Sequence, residues 1–553
     1  MSAAQTQPAS RTVPREVDVV IVGAGFAGMY LLHRARGLGM SAIVFETGTD
    51  VGGTWYWNRY PGARCDVESM QYSYSFSNEL QTEWKWPELF SAQPDILRYA
   101  RHVADRFDLR RDIRFETRVS AATFNETVRR WDVRTSAGDV VSARFCVMAT
   151  GSLSAARLPD IKGIESFRGQ TYHTGAWPHE KVDLTGLRVG VVGTGSSAIQ
   201  AVPVIAEQAG HVTVFQRTPN FSIPSRNAVM TQDYEADWKG SYEARRAAAR
   251  QTRNGVLNAL NDKSAIAVPA DERQSEYEKR WQIGGTSFMA AFNDLVMNKA
   301  SNDTAAEFVR SKIREIVKDP HTAELLAPKS HPIGTKRICV DTRYYETFNR
   351  KNVQLVDISA APIEEITPHG LRTGGQDYEF DVIVFATGFD AMTGTLAKID
   401  IRGKGGAALA EKWEAGPRTY LGLMSEGYPN LFFITGPGSP SVLSNMIVSI
   451  EQHVEWLSDC FAYLRSHQHD SIEPTRAAED AWVEHVNAAA YKTLYPQANS
   501  WYMGANVPGK PRVFMPYIGG VATYRRECTE IVENGYTGFA LTTAASPAAA
   551  AAD

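Results

Sequence analysis

The stretch Val19-Val20-Ile21-Val22-Gly23-Ala24-Gly25-Phe26-Ala27-Gly28 decides the fold. Its β-branched run reads as a buried strand, and the glycines follow at the spacing of a strand–turn–helix dinucleotide fingerprint. Such a turn lets the backbone approach a pyrophosphate, and the helix N-terminus behind it presents free N–H groups and positive dipole. The pattern recurs at Val191-Val192-Gly193-Thr194-Gly195-Ser196-Ser197-Ala198, again between an apolar run and a helix-like segment. Two such turns predict an α/β chain with two Rossmann-like units and two dinucleotides. The simplest pair is a flavin that does chemistry and a nicotinamide that feeds it electrons.

The ends of the following strands divide the two nucleotides. Ser41-Ala42-Ile43-Val44-Phe45 ends at Glu46, whose carboxylate accepts hydrogen bonds from ribose hydroxyls and repels a 2′-phosphate. Val212-Thr213-Val214-Phe215 ends instead in Gln216-Arg217-Thr218. A guanidinium beside a hydroxyl suits a 2′-phosphate. FAD is therefore expected in the first unit and NADPH in the second.

Composition narrows the class. The 553 residues allow two or three domains, with 43% hydrophobic and 22% charged residues. A net charge of −4 gives no footprint for nucleic acid or an anionic membrane. No apolar run approaches the roughly 20 residues of a membrane span, and no secretory signal is visible. Five scattered cysteines, never in Cys-x-x-Cys spacing, suggest reduced thiols in a cytoplasmic protein and give neither a disulfide framework nor a metal site. A disulfide reductase would need a redox pair after the first fingerprint, and none is there.

Residues 1–16 read as a disordered lead-in and 544–553 as a low-complexity tail. The flavin unit is expected over 17–151 and 389–543, and the NADPH unit over 152–388. Each first stretch closes with an apolar strand followed by Ala-Thr-Gly, at Ala149-Thr150-Gly151 and Ala386-Thr387-Gly388. Between about 227 and 328 the texture becomes helical, with Glu307-Phe308-Val309, Ile313 and Ile316-Val317 at amphipathic spacing. This insertion in the NADPH unit either shapes a substrate entrance or is a plain helical cap. Helices are expected over 447–465 and 476–486. Pro203, inside the helix after the second fingerprint, should remove a hydrogen bond and kink it.

Ahead of the second fingerprint stands Phe167-Arg168-Gly169-Gln170-Thr171-Tyr172-His173-Thr174-Gly175-Ala176-Trp177-Pro178. It matches F-x-G-x-x-x-H-x-x-x-W-P/D at Phe167, Gly169, His173, Trp177 and Pro178. In this the chain resembles the type I Baeyer–Villiger monooxygenases, most nearly the phenylacetone and steroid monooxygenase group. The likeness extends through Gly52 to Asp66, Gly334-Thr335-Lys336-Arg337, Gly436 to Ser441, Ser444-Asn445-Met446 and Trp501-Tyr502. One departure is Ala198 where a third glycine is common, which the fingerprint tolerates.

The resemblance implies an enzyme that uses NADPH and O₂ to form a C4a-peroxyflavin and inserts one oxygen atom beside a ketone carbonyl, giving an ester or lactone. Sulfides are a further substrate class. Arg337 matches the catalytic arginine and Asp66 the carboxylate that orients it; a bare Lys-Arg pair alone would read as a solvated turn. An arginine suits an anionic reaction because it keeps its proton and its donors are planar. The implied flavin contacts are Gly23, Gly25, Ala27, Gly28, Glu46, Thr54, Trp55, Asp66, Tyr72, Val119 and Met446. Those for NADPH are Gly193, Gly195, Ser196, Ser197, Arg217, Thr218, Lys336 and Trp501, although composition alone leaves Trp501 equally readable as a core aromatic. Ser441, Val442, Leu443, Ser444 and Met446 resemble the ketone pocket wall. His173 is assigned to coupling between units and kept out of the chemical step. The protein is expected to be a monomer or weak oligomer. Two rivals remain: a flavin-dependent N- or S-monooxygenase, and a non-catalytic NADPH sensor.

Overall fold

The structure, a computed structural model, describes residues 13–543. The first strand, Glu16–Val22, runs into the Gly-rich turn and the helix Phe26–Gly37. Gly23 has φ +107, and a Cβ there would stand 2.6 Å from the Ala149 carbonyl oxygen. A Cβ on Gly28 would stand 1.9 Å from the Gly23 carbonyl oxygen, so the helix packs on the turn only without a side chain. The second turn repeats the arrangement: Gly193 has φ +112, and its Cβ would meet the Ala386 carbonyl oxygen at 2.5 Å. Each Ala-Thr-Gly segment thus crosses directly under a glycine turn.

The first fingerprint belongs to an eight-stranded sheet. Its order is Asp400–Arg402, Val119–Asn125, Arg130–Thr135, Val140–Met148, Glu16–Val22, Ala42–Phe45 and Ile113–Arg114, with Leu431–Phe433 also pairing with Val140–Met148. The second belongs to a five-stranded, wholly parallel sheet ordered Val353–Asp357, His211–Gln216, Arg188–Val192, Val382–Phe385 and Gln170–His173. Parallel strands buried on both faces require the continuous apolar runs seen around both fingerprints. The first strand opens at Glu16, so the expected lead-in ends one residue earlier; its residues 1–12 and the tail 544–553 lie outside the described residues. Among the described residues no helix is long and apolar enough to cross a membrane.

The insertion leaves after Ser222–Pro224 and returns at Cys339–Asp341, two strands paired in parallel. Its buried side chains pack in two cores. Trp238, Tyr242 and Val256 join the core of the first sheet, whereas Tyr277, Trp281, Phe308 and Val309 join the core of the second. Amphipathic periodicity reveals a buried face but not the body that covers it. The helix read around Glu307 spans Lys299–Ile316 and is capped by Asn298, whose side chain accepts from Ala300 and Ser301 N–H. The C-terminal helices cover Met446–Ser466 and Arg476–Tyr491. The second outruns its apolar pattern because Ala488, Ala489 and Ala490 extend it by intrinsic propensity. Pro203 sits buried inside the helix Ser196–Gln208.

Candidate active site

The two units meet at a pair of opposite charges. Asp66 ends the loop that follows the short helix Thr54–Trp57 of the first unit. Arg337 lies in the segment entering Cys339–Asp341. Arg337 Nε and Nη2 donate to the same Asp66 oxygen, Oδ2, at 3.0 and 2.7 Å, and Nη1 donates to the Val442 carbonyl at 2.8 Å. Upstream, the buried Asn302 of the insertion clamps Ile333: its amide donates to the Ile333 carbonyl at 2.8 Å and accepts the Ile333 N–H at 2.9 Å. The charge of Asp66 holds the Arg337 guanidinium above the ordinary arginine range, against the opposing effect of burial. Arg337 is therefore a fixed cation whose side chain still keeps 32% of its exposure.

Around it lie several of the residues expected to line a ketone pocket. Val442, Tyr502 and Met503 are buried in one apolar cluster, with Leu443, Met446 and Trp501 packed against it. Ser441 is fully buried, has φ +40, and places its hydroxyl 3.1 Å from the Thr435 carbonyl and 3.2 Å from Ser152 Oγ. Ser444 donates to the Ser441 carbonyl at 2.7 Å. This left-handed, hydrogen-bonded turn presents the Val442 carbonyl to Arg337. A backbone acceptor carries no sequence signal. Tyr502 was also missed as a site residue: it is buried, and its hydroxyl lies against Arg337.

The first cradle forms from Gly23, Gly25 and the approach of Gly53, whose Cβ would lie 2.9 Å from Gly25 Cα. Glu46 is buried and accepts from Ala24 N–H at 2.8 Å and Gly48 N–H at 2.7 Å, so it braces the turn. Ala27 and Gly28 pack beneath, in the first helical turn. Thr54 is exposed, while Trp55 is buried and donates from Nε1 to Tyr72 Oη at 3.1 Å. Val119 is buried at the start of its strand, two residues beyond Thr117, whose N–H bonds the Glu46 carbonyl at 2.8 Å.

The second cradle is open at Gly195, where a Cβ would meet nothing within 4 Å, and its helix begins at Ser196 and Ser197. Thr194 Oγ1 donates to the Thr218 carbonyl at 2.8 Å, joining the turn to the end of the next strand. Beside it stand Arg217 and Lys336. Burial, with Arg217 nearby, pushes the Lys336 ammonium below the usual lysine range. Among the described residues neither cation has an acidic partner within salt-bridge distance.

The linker motif lies elsewhere. His173 ends the edge strand Gln170–His173, paired with Phe385, and its Nδ1 accepts the Gly175 N–H at 3.0 Å. Its Nε2 lies 3.4 Å from Thr387 Oγ1, which donates to the Arg157 carbonyl at 2.8 Å. Burial lowers the His173 pKa, so the ring is neutral. Gly169 has no room for a side chain between Phe167 and the Asp381 carbonyl, and Trp177 is buried against Tyr172. Pro178 follows Trp177 beyond this packing.

Two nucleotide units meeting at a cationic, apolar-walled site define a pyridine-nucleotide oxidoreductase. Residues 20–275 match the family model described as pyridine nucleotide-disulphide oxidoreductase, although all five cysteines here are free and buried. The chain is 42% identical to the 2-oxo-Delta(3)-4,5,5-trimethylcyclopentenylacetyl-CoA monooxygenase of Pseudomonas putida, over 95% of this chain and 98% of that one. It is 42% identical to a Baeyer–Villiger monooxygenase of Pseudooceanicola batsensis, over 96% and 97%. A solved oxidized steroid monooxygenase bound to NADP is 52% identical and superposes with a TM-score of 0.92, over 96% of this chain and 100% of that one. The chain belongs to the type I Baeyer–Villiger monooxygenases.

Proposed function

We propose that this chain is an FAD- and NADPH-dependent monooxygenase that inserts one atom of O₂ beside the carbonyl of a small-molecule ketone, giving an ester or lactone, with Arg337 and Asp66 as its catalytic pair. The observation that carries this reading is the Arg337 guanidinium, aimed by Asp66 and Val442 at the junction of the units. Bound FAD supplies the oxygen-activating chemistry and NADPH the electrons.

The residues fit both groups. The Gly23–Gly28 turn holds the FAD pyrophosphate, Glu46 takes the ribose, and Thr54, Trp55, Asp66, Tyr72, Val119 and Met446 line the remainder. Gly193, Gly195, Ser196 and Ser197 hold the NADPH pyrophosphate in the space left open at Gly195. Arg217, Thr218 and Lys336 take the 2′-phosphate, which supplies the counter-charge those cations lack. Trp501 covers the nicotinamide side, and excluding water there protects a reactive site. Ser441, Val442, Leu443, Ser444 and Met446 form the ketone wall. Arg337 stabilises the negative charge that develops on oxygen during insertion, without surrendering a proton. His173 is neutral and couples the two crossings rather than moving a proton. The same reading gives the flavin unit 17–151 with 389–543, the NADPH unit 152–388, and a cytoplasmic monomer or weak oligomer.

The test is steady-state NADPH oxidation with a panel of ketones, amines and sulfides, with product masses measured. Ketones gaining one oxygen atom support the reading; oxygenation confined to amines, or no turnover at all, overturns it.

A further inference from the structure

One helix contacts both chain segments that carry the Asp66–Arg337 pair. In Ser196–Gln208, Gln200 lies one turn past Ser196 on the same face. Gln200 Oε1 accepts from the Tyr60 hydroxyl at 2.9 Å and from Arg64 N–H at 3.3 Å, and Nε2 donates to the Arg64 carbonyl at 3.1 Å. The side-chain amide thus pairs with a peptide unit as a neighbouring strand would, fixing both position and direction. Arg64 stands two residues before Asp66. Gly62 completes the docking, because a Cβ there would lie 2.3 Å from the Gln200 carbonyl oxygen and 3.0 Å from Val204. The loop therefore rests on the stretch of helix that contains Pro203, which cannot donate a backbone N–H. On the other side, Ser196 Oγ lies 3.2 Å from Cys339 Sγ, two residues past Arg337.

We infer that Gln200 is a positioning residue for the catalytic pair. Through it, a dinucleotide held at the N-terminus of this helix sets the aim of Asp66 on Arg337. This rests on the proposed placement of NADPH at Ser196 and Ser197. Hydrogen bonds from the helix hold the loop two residues before the carboxylate, and the helix end that would meet a pyrophosphate is the end that carries Gln200. Glutamate at 200 keeps the acceptor for Tyr60 and Arg64 but loses the donor; alanine loses both.

The experiment compares wild type with Gln200→Ala and Gln200→Glu. It measures NADP⁺ affinity, amide hydrogen exchange over residues 58–66 with and without NADP⁺, and the share of NADPH oxidation that ends in oxygenated ketone rather than hydrogen peroxide. Gln200→Ala should bind NADP⁺ within roughly threefold of wild type, a small part of the coupling usual between sites. It should lose the NADP⁺-induced protection of 58–66, and its coupling to product should fall on the order of tenfold, since small misplacements near reacting atoms can cost up to ~10²-fold. Gln200→Glu should be intermediate, and it carries the test if the alanine variant does not fold. Unchanged protection or unchanged coupling in the variants overturns the inference alone. Loss of NADP⁺ binding in Gln200→Ala would make Gln200 a ligand contact and also overturn it. A wild-type protein that binds no NADP⁺ would instead remove the reading of the second site on which the inference stands.

Discussion

Arg337 reaches across 271 residues of chain to place two donors on one oxygen of Asp66. Because Nη1 is turned to the Val442 carbonyl, the guanidinium is held from two directions, one from each side of the site. Removing Asp66 leaves the cation in place but frees its aim. Asp66→Ala should therefore retain flavin reduction by NADPH and lose roughly 10-fold to 100-fold in oxygenation rate, the cost of misplacing a reacting group. Stopped-flow reduction measured beside product formation checks this; equal losses in both would make Asp66 a purely structural residue.

Cofactor preference should reside in Arg217 and Lys336. A charge-assisted hydrogen bond to the 2′-phosphate contributes about 1.5–3 kcal/mol, so Arg217→Ala should raise the KM for NADPH by roughly 10-fold to 100-fold and leave NADH nearly unchanged. Lys336 gives up its proton below the usual lysine range because burial and Arg217 disfavour its charge. Preference for NADPH over NADH should accordingly weaken as pH rises toward the alkaline side, and Lys336→Met should flatten that dependence. Equal effects on both cofactors would show that the cations serve the fold.

The two glycine turns should differ in tolerance. Gly28→Ala would force a methyl group within 1.9 Å of the Gly23 carbonyl oxygen, where only backbone movement relieves the clash. Overpacking of this kind costs about 1–3 kcal/mol, and here it distorts the FAD turn itself. The variant should be purified largely without flavin. Ala198→Gly, the reverse change at the second turn, should bind NADP⁺ as wild type does. A fully yellow Gly28→Ala protein would contradict the cradle.

His331 makes the fold acid-sensitive. Burial, reinforced by Lys336 and Arg310, holds its pKa at about 4, against 6.5 unperturbed. The unfolded chain therefore takes up a proton that the folded chain refuses as pH falls from 6.5 to 4. Stability should drop across that window by up to roughly 3 kcal/mol. Thermal unfolding at pH 7.5 and pH 5 should show a smaller pH-dependent fall in Tm for His331→Asn than for wild type. Identical falls would mean that other groups dominate.

Both fingerprints and the Ala-Thr-Gly crossings were legible because each depends on residue type at fixed spacing, whereas Arg337 with Asp66 was legible only through the family resemblance. Gly23 needs positive φ, Gly28 needs the absence of a side chain, and both requirements leave their mark on sequence. The Val442 carbonyl was not legible, since any residue supplies a backbone acceptor. The insertion was recognised as helical from its periodicity, but its division between two cores depends on tertiary packing between segments far apart in the chain. Gln200 lay in plain view beside Ser196, yet its partners at Tyr60 and Arg64 are about 140 residues away.

Arg337 is expected to stabilise negative charge during oxygen insertion. The most direct measurement is Arg337→Ala followed by rapid mixing for flavin reduction and by mass spectrometry for product. The variant should bind FAD and be reduced by NADPH, while ketone oxygenation falls by at least the 10²–10³-fold on the order expected for loss of one electrostatic stabiliser. Arg337→Lys should fail nearly as badly, because a flexible ammonium does not reproduce the planar fork held by Asp66 and Val442. Ester formed by Arg337→Ala at the wild-type rate would contradict the account.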